Sequence, residues 1–106
     1  MKILVLAKRH DQVSIEAMQP HFQAEVQAIW DLYTQGIIRE LYTRADQPGA
    51  AVLMVECATT EAARQALSKL PLVDMNMLEL ELIPFAPFTN LSLLFKRVSE
   101  PAKAVA

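Results

Sequence analysis

Leu78-Glu79-Leu80-Glu81-Leu82 alternates apolar and acidic side chains without a break. Successive side chains of a strand point to opposite faces, so this run presents leucine to one side and carboxylate to the other. A helix would spread both kinds around its circumference. The segment therefore has to be a strand in a sheet that is covered on its leucine face and polar on the other. Pro84, which has no N–H to give to a ladder, ends it. The rest of the chain must supply the neighbouring strands and the cover.

It does so in a definite order. Ile3 to Lys8 is a short apolar run that reads as a central strand. The run spans only five residues before a charge, too short for a signal-peptide core or a bilayer span. Phe22, Val26, Ile29, Trp30 and Tyr33 fall at i, i+4, i+7, i+8 and i+11, one face of a first helix whose apolar stripe should pack on the sheet. Pro20 suits the opening turn of that helix, residues 14–19 form a separate short turn, and Gly36 stands where a left-handed cap would close it. Ile37 to Ala45 and Ala50 to Cys57 are two strands joined at Asp46-Gln47-Pro48-Gly49, where Pro48 presets φ and Gly49 accepts a positive one. Thr59 or Thr60 caps a second helix, with Glu61 at its positive end. Ala63, Ala66, Leu67 and Leu70 form its apolar face, and Pro71 stops it. The predicted order is strand, helix, hairpin, helix, strand. The fold class is α+β: a ferredoxin-like βαββαβ domain, with a four-stranded antiparallel sheet and two helices on one face.

At 106 residues the chain fits one domain, yet 53% of its residues are hydrophobic. So large an apolar share in so small a body points to a pocket, a partner, or both. The ten Lys and Arg are scattered and the net charge is −2, without the basic footprint of a nucleic-acid binder. One cysteine, Cys57, forbids a disulfide within the chain and implies a reducing, cytoplasmic compartment. Two glycines leave no phosphate-binding loop. No CxxC or zinc spacing is present, so neither a metal nor any other cofactor is expected.

Two features exceed a closed four-stranded domain. The sheet face carrying Glu79 and Glu81 has no helix to cover it. After the last strand, Phe85, Phe88, Leu91, Leu93, Leu94 and Phe95 have no assigned place, and each is worth roughly 1.5–3 kcal/mol when buried. Packing on a second copy accounts for both. The expected division is a domain over residues 1–88 and a C-terminal extension over 89–106, apolar to about residue 95 and disordered beyond.

The residues able to do chemistry gather on the hairpin. Glu40, Tyr42 and Arg44 share one face of its first strand, and Arg39, Leu41 and Thr43 the other. Arg39 and Arg44 can clamp a carboxylate through paired hydrogen bonds, and Tyr42 can polarise an oxygen. The bland alternative is a solvated edge with ion pairs such as Arg44 to Glu56. Glu56 ends an apolar strand, where desolvation would raise its pKa and suit it to general-base work; an exposed strand end is the other reading. His10, after the first strand, can act as acid or base or simply be exposed. Trp30 belongs to the core or lines a substrate pocket between helix and sheet. Cys57 reads as a small buried hydrophobe.

The run Gly36-Ile37-Ile38-Arg39-Glu40-Leu41-Tyr42, followed by a hairpin and by a helix ending in Leu70-Pro71-Leu72, resembles the muconolactone isomerase-like group of the dimeric α/β-barrel superfamily. The resemblance covers roughly residues 25–88. It implies a ferredoxin-like protomer whose open sheet face packs on a second protomer, and cofactor-free chemistry on small cyclic or aromatic carboxylates. Arg39 stands where that group has a strand arginine, a partner for a substrate carboxylate. Two readings follow. One is a cofactor-independent isomerase-like enzyme acting on a small cyclic carbonyl or lactone acid, in which Arg39, Arg44 and Trp30 bind substrate, Tyr42 donates a hydrogen bond, and Glu56 or His10 moves a proton. The other is a non-catalytic oligomeric ligand-binding or scaffold domain of the same fold. A flavin- or haem-using relative is a third, lesser alternative. The expected partners are a second copy and a small carboxylate, with no nucleic acid and no membrane.

Overall fold

A computed structural model describes residues 1–96. Strand β1 (Lys2–Arg9) leads through a short helix α1 (Ile15–Met18) and a 3-10 turn (Gln19–His21) into helix α2 (Phe22–Thr34). Strands β2 (Ile38–Thr43) and β3 (Ala51–Glu56) form the hairpin, helix α3 (Thr60–Leu67) follows, then a one-turn helix α4 (Pro71–Asp74), strand β4 (Leu78–Pro84) and a 3-10 helix (Thr89–Phe95). The sheet is antiparallel with strand order β2-β3-β1-β4. The expected element order and fold class are those observed. No helix among the described residues is long and apolar enough to cross a membrane.

Register settles which side chains meet. Val5 lies opposite Leu53 and Leu82, Ile3 opposite Val55, and Ile38 opposite Val55. These share the helix-covered face with Leu32, Ala63, Leu67 and Leu70, which together make the core. Ile3, Val5, Ile38, Val55 and Leu67 are fully buried, and each stabilises the fold by roughly 1.5–3 kcal/mol. Leu4, Leu6, Val52 and Met54 take the opposite face with Tyr42, Glu79 and Glu81. Leucine and carboxylate are thus sorted between the faces of β4 as its alternation requires.

The turns follow their residues. Gly36 and Gly49 have φ of +79° and +78°, the left-handed values their positions call for. Thr59 caps α3, its hydroxyl accepting from Ala62 N–H at 3.0 Å. Two prolines act differently from expectation. Pro20 lies in the 3-10 turn ahead of α2. Pro71 opens α4 as its first residue, where the missing N–H costs nothing, while α3 has already ended at Leu67.

Helix α2 brings the main correction. Its buried side is Glu25 and Leu32, with Ala28 and Ile29 partly covered. Phe22, Val26, Trp30 and Tyr33 are exposed, Val26 at 62% and Trp30 at 57%. At about 100° per residue the two sets are adjacent stripes, and only one can face the sheet. Trp30 is therefore neither in the core nor between helix and sheet. It stacks on Tyr33 on the outer surface, ring centroids 5.5 Å apart.

The chain is elongated, 64 × 29 × 20 Å, with a radius of gyration of 18.2 Å against about 13 Å for a compact domain of this size. In the segment after β4, Leu94 and Phe95 are 77% and 87% exposed. The expected disordered tail lies outside the described residues.

Candidate functional site

The site begins with an acid that the fold hides. Glu25 sits in the first turn of α2, on the side turned to the sheet, and is 6% exposed. Its Oε1 accepts from the Leu72 backbone N–H at 2.9 Å. That amide is free because Pro71 starts α4 and Leu72 follows in its unpaired first turn. Oε2 has no hydrogen-bond partner among the described residues. Burial pushes the Glu25 carboxyl above the usual carboxylate range, and the Leu72 N–H only partly offsets it.

Glu25 lines a cavity of about 430 Å³ between the start of α2, α1 and the hairpin end of the sheet. The wall is apolar: Ile15, Met18, Phe22, Val26, Ile29, Leu72 and Leu78, floored by Ala7, Ala50 and Ala51. Small floor residues leave the space open. Arg44 and Thr43 also line it, and Arg44 borders a second hollow on the open sheet face with Lys8, Glu79 and Glu81. Gly49 belongs to the rim, and a Cβ there would lie 3.0 Å from Arg9 Nε. A carboxyl group of raised pKa lining an apolar cavity is suited to taking a proton from a carbon acid and returning it.

The residues singled out from the sequence do not converge on this cavity, Arg44 excepted. Arg44 is held by Asp46 through paired bonds, Nε to Oδ1 at 3.0 Å and Nη2 to Oδ2 at 2.7 Å. The guanidinium holds the Asp46 carboxyl below its usual range. The pairing with Glu56 suggested by the sequence is replaced by this one. Tyr42 donates to Glu40 Oε1 at 2.9 Å on the open sheet face, and that bond raises the phenol pKa. Arg39 sits at a register break between Ile38 and Glu40 and donates from Nε back to the Gly36 carbonyl at 2.6 Å.

Glu56 follows the second of its two readings, an exposed strand end, and not the desolvated base. Its carboxylate is ion-paired with the N-terminal ammonium, which pushes its pKa down, with Arg39 and Lys2 adding to the shift. A base weakened in this way is poorly suited to abstracting a proton. His10 lies on a separate surface hollow with Arg64, Ser68 and Asn76, its Nδ1 3.9 Å from Glu79 Oε2. Burial pushes the half-buried Cys57 thiol up, away from the reactive thiolate. Among the described residues no three His, Cys, Asp or Glu side chains gather to hold a metal ion.

Glu25 escaped the sequence reading because it lies in an apolar helix beside a more conspicuous stripe. The available signal was its spacing: Glu25, Ile29 and Leu32 fall at i, i+4 and i+7, so any packing of Leu32 into the core carries the acid inward with it.

No protein-family model matches the sequence, and no curated protein matches it significantly. Solved structures do. The chain superposes on 5-chloro-2-hydroxyhydroquinone dehydrochlorinase of Burkholderia phenoliruptrix, determined with 2,5-dihydroxybenzoquinone, at a TM-score of 0.65 and 12% identity, over 81% of this chain and 94% of that one. It superposes on muconolactone isomerase at a TM-score of 0.61 and 19% identity, over 98% of both chains. What is shared at such identities is the architecture, a four-stranded antiparallel sheet with helices in a ferredoxin-like α+β fold.

Proposed function

We propose that this protein is a cofactor-independent enzyme that shifts a proton on a small cyclic carbonyl or lactone acid, working as a homo-oligomer in a reducing, cytoplasmic compartment. The observation that carries the reading is Glu25, a buried carboxyl of raised pKa facing an apolar cavity of about 430 Å³. In its ionised form Glu25 takes a proton from the carbon beside the carbonyl. The C–H electron pair moves into the adjoining π system, the double bond shifts, and the protonated carboxyl returns its proton at another carbon. Atoms and electrons balance without a redox partner. Arg44 at the rim binds the substrate carboxylate in exchange for Asp46. The isomerase and dehydrochlorinase of like fold act, by their names, on ring compounds of this size.

A panel of lactone acids beginning with muconolactone, incubated in deuterium oxide, tests this. The wild-type chain should place deuterium beside the carbonyl of at least one member, and Glu25→Gln should lower that rate at least about a hundredfold, the usual worth of a general base. Glutamine keeps an oxygen for the Leu72 N–H, so loss of exchange would reflect chemistry and not unfolding. Exchange equally fast in the variant would sink the assignment of Glu25.

The Leu72 hydrogen bond favours one alternative: Glu25 as a tie between α2 and α4 in a non-catalytic oligomeric binding domain. That reading predicts saturable ligand binding with no deuterium uptake by any member of the panel.

A further inference from the structure

Behind the rim of the Glu25 cavity stands an arginine whose hydrogen bonds are only partly used. Arg9 ends β1 on the same face as Ala7, which floors the cavity. Its partner across the sheet is Leu78, and a Cβ at Gly49 would stand 3.0 Å from its Nε. Leu78 and Gly49 both line the cavity. The Arg9 side chain is therefore separated from that space by a residue without a side chain.

The guanidinium is fixed on one side only. Nη1 donates to the Val13 carbonyl and so ties Arg9 to the turn that leads into α1, whose Ile15 and Met18 are cavity wall. Among the described residues neither Nε, which is buried, nor Nη2 has an acceptor. No carboxylate among them pairs with Arg9, whereas Lys8 has Glu79 and Arg44 has Asp46. The unused donors form one edge of the group. It is the same edge, Nε with Nη2, by which Arg44 holds the two oxygens of Asp46, and its spacing matches a carboxylate. A buried cationic donor without an acceptor is costly, and an anion that reaches it is favoured for that reason. Glycine at position 49 keeps the space beside Nε clear of any side chain. A small outward movement of the turn then admits an oxygen.

We infer that Arg9 binds the carboxylate of the substrate in the Glu25 cavity, taking its two oxygens on the Nε–Nη2 edge beside Gly49, and so selects ring acids over neutral rings of the same shape. Arg44 reaches that group only by giving up Asp46, whereas Arg9 has no acid to give up. The inference rests on the proposed function for what the ring acid does in the cavity; the binding itself is read without turnover.

Benzoate and benzamide differ in charge and hardly in shape. Each is titrated into the full-length protein, with the arginine Nε–H and backbone amide signals followed by NMR. In wild type, benzoate should shift the Arg9 Nε–H signal, identified by its loss in Arg9→Lys, together with the amide of Leu72 in the cavity wall. It should bind at least about tenfold tighter than benzamide, the usual worth of a charge-assisted hydrogen bond. Arg9→Gln should bring the two ligands within about twofold of each other and leave benzamide binding unchanged. Arg9→Lys, which keeps the charge and loses the fork, should fall between. A Leu72 amide that shifts while the Arg9 Nε–H signal stays still would put the anion elsewhere in the cavity and overturn the inference. A benzoate preference that survives Arg9→Gln would overturn it too, as would benzoate that shifts neither signal. Should Arg9→Gln fail to fold, the wild-type Nε–H signal decides alone. Failure of Glu25→Gln to slow deuterium exchange would remove the proton transfer and leave each of these readouts as it is.

Discussion

Glu25 is buried with one hydrogen bond, and its ionised form is therefore the costly one. The consequence for stability has a definite sign. The folded chain binds the Glu25 proton more tightly than the unfolded chain does, so stability falls as pH rises from the ordinary glutamate value, 4.5, through the raised folded one. Glu25→Gln, which mimics the protonated acid, removes this loss. Thermal melts of both proteins across that range should show the variant gaining on wild type as pH rises; parallel curves would mean that the carboxyl is not desolvated. Gly49 is the other residue whose identity is forced. At φ +78° with Arg9 Nε beside it, Gly49→Ala should cost about 1–2 kcal/mol in denaturant unfolding, chiefly from the left-handed backbone.

Among the elements, α3 shows local rules and packing in agreement. Thr59 caps it, Glu61 favours its N-terminal end, and Ala63 and Leu67 are fully buried. Thr59→Ala should lower stability by about 1 kcal/mol, since the Ala62 N–H loses its acceptor; an unchanged denaturation midpoint would show that water replaces the cap at no cost. Helix α2 shows the opposite case. Its amphipathic signal is strong, but the stripe that supplies the signal faces out, and the inner stripe is masked by Ala28 and Glu25. An apolar arc wider than one contact needs two partners, the sheet on one side and something else on the other. The hairpin is intermediate: its turn chemistry is local and was legible, but the register break at Arg39 redirects that side chain to Gly36.

The whole molecule leaves a sheet face with Leu4, Leu6, Val52 and Met54 at its centre and Lys8, Tyr42, Glu79 and Glu81 around them. An apolar centre within a polar border is how an interface is built, which supports this face as the contact of the proposed oligomer. Met54→Lys should place a charge at the centre of that face, across the strand pair from Glu40, without touching the core. Native mass spectrometry should find more than one chain in wild type and a single folded chain in the variant. A wild-type monomer would refute the pairing of sheet faces, and an intact oligomer in the variant would place the contact elsewhere.

What the sequence determined by itself were the features governed by neighbours along the chain. The Leu/Glu alternation of β4, the turn at Pro48-Gly49, the Gly36 cap and the order of strands and helices all follow from backbone geometry and side-chain period, which act over a few residues. They suffice for the fold, and the structural likeness to muconolactone isomerase agrees with the resemblance seen in Gly36–Tyr42 and Leu70-Pro71-Leu72. The tertiary structure alone decided which stripe of α2 is inside, that Glu25 meets Leu72 across 47 residues of chain, and that Glu56 and Arg44 are already engaged by the N-terminus and Asp46. Desolvation and pairing depend on which distant groups come within a few ångströms. A candidate acid is therefore visible in a sequence as a letter, but its strength is set by what the fold brings beside it.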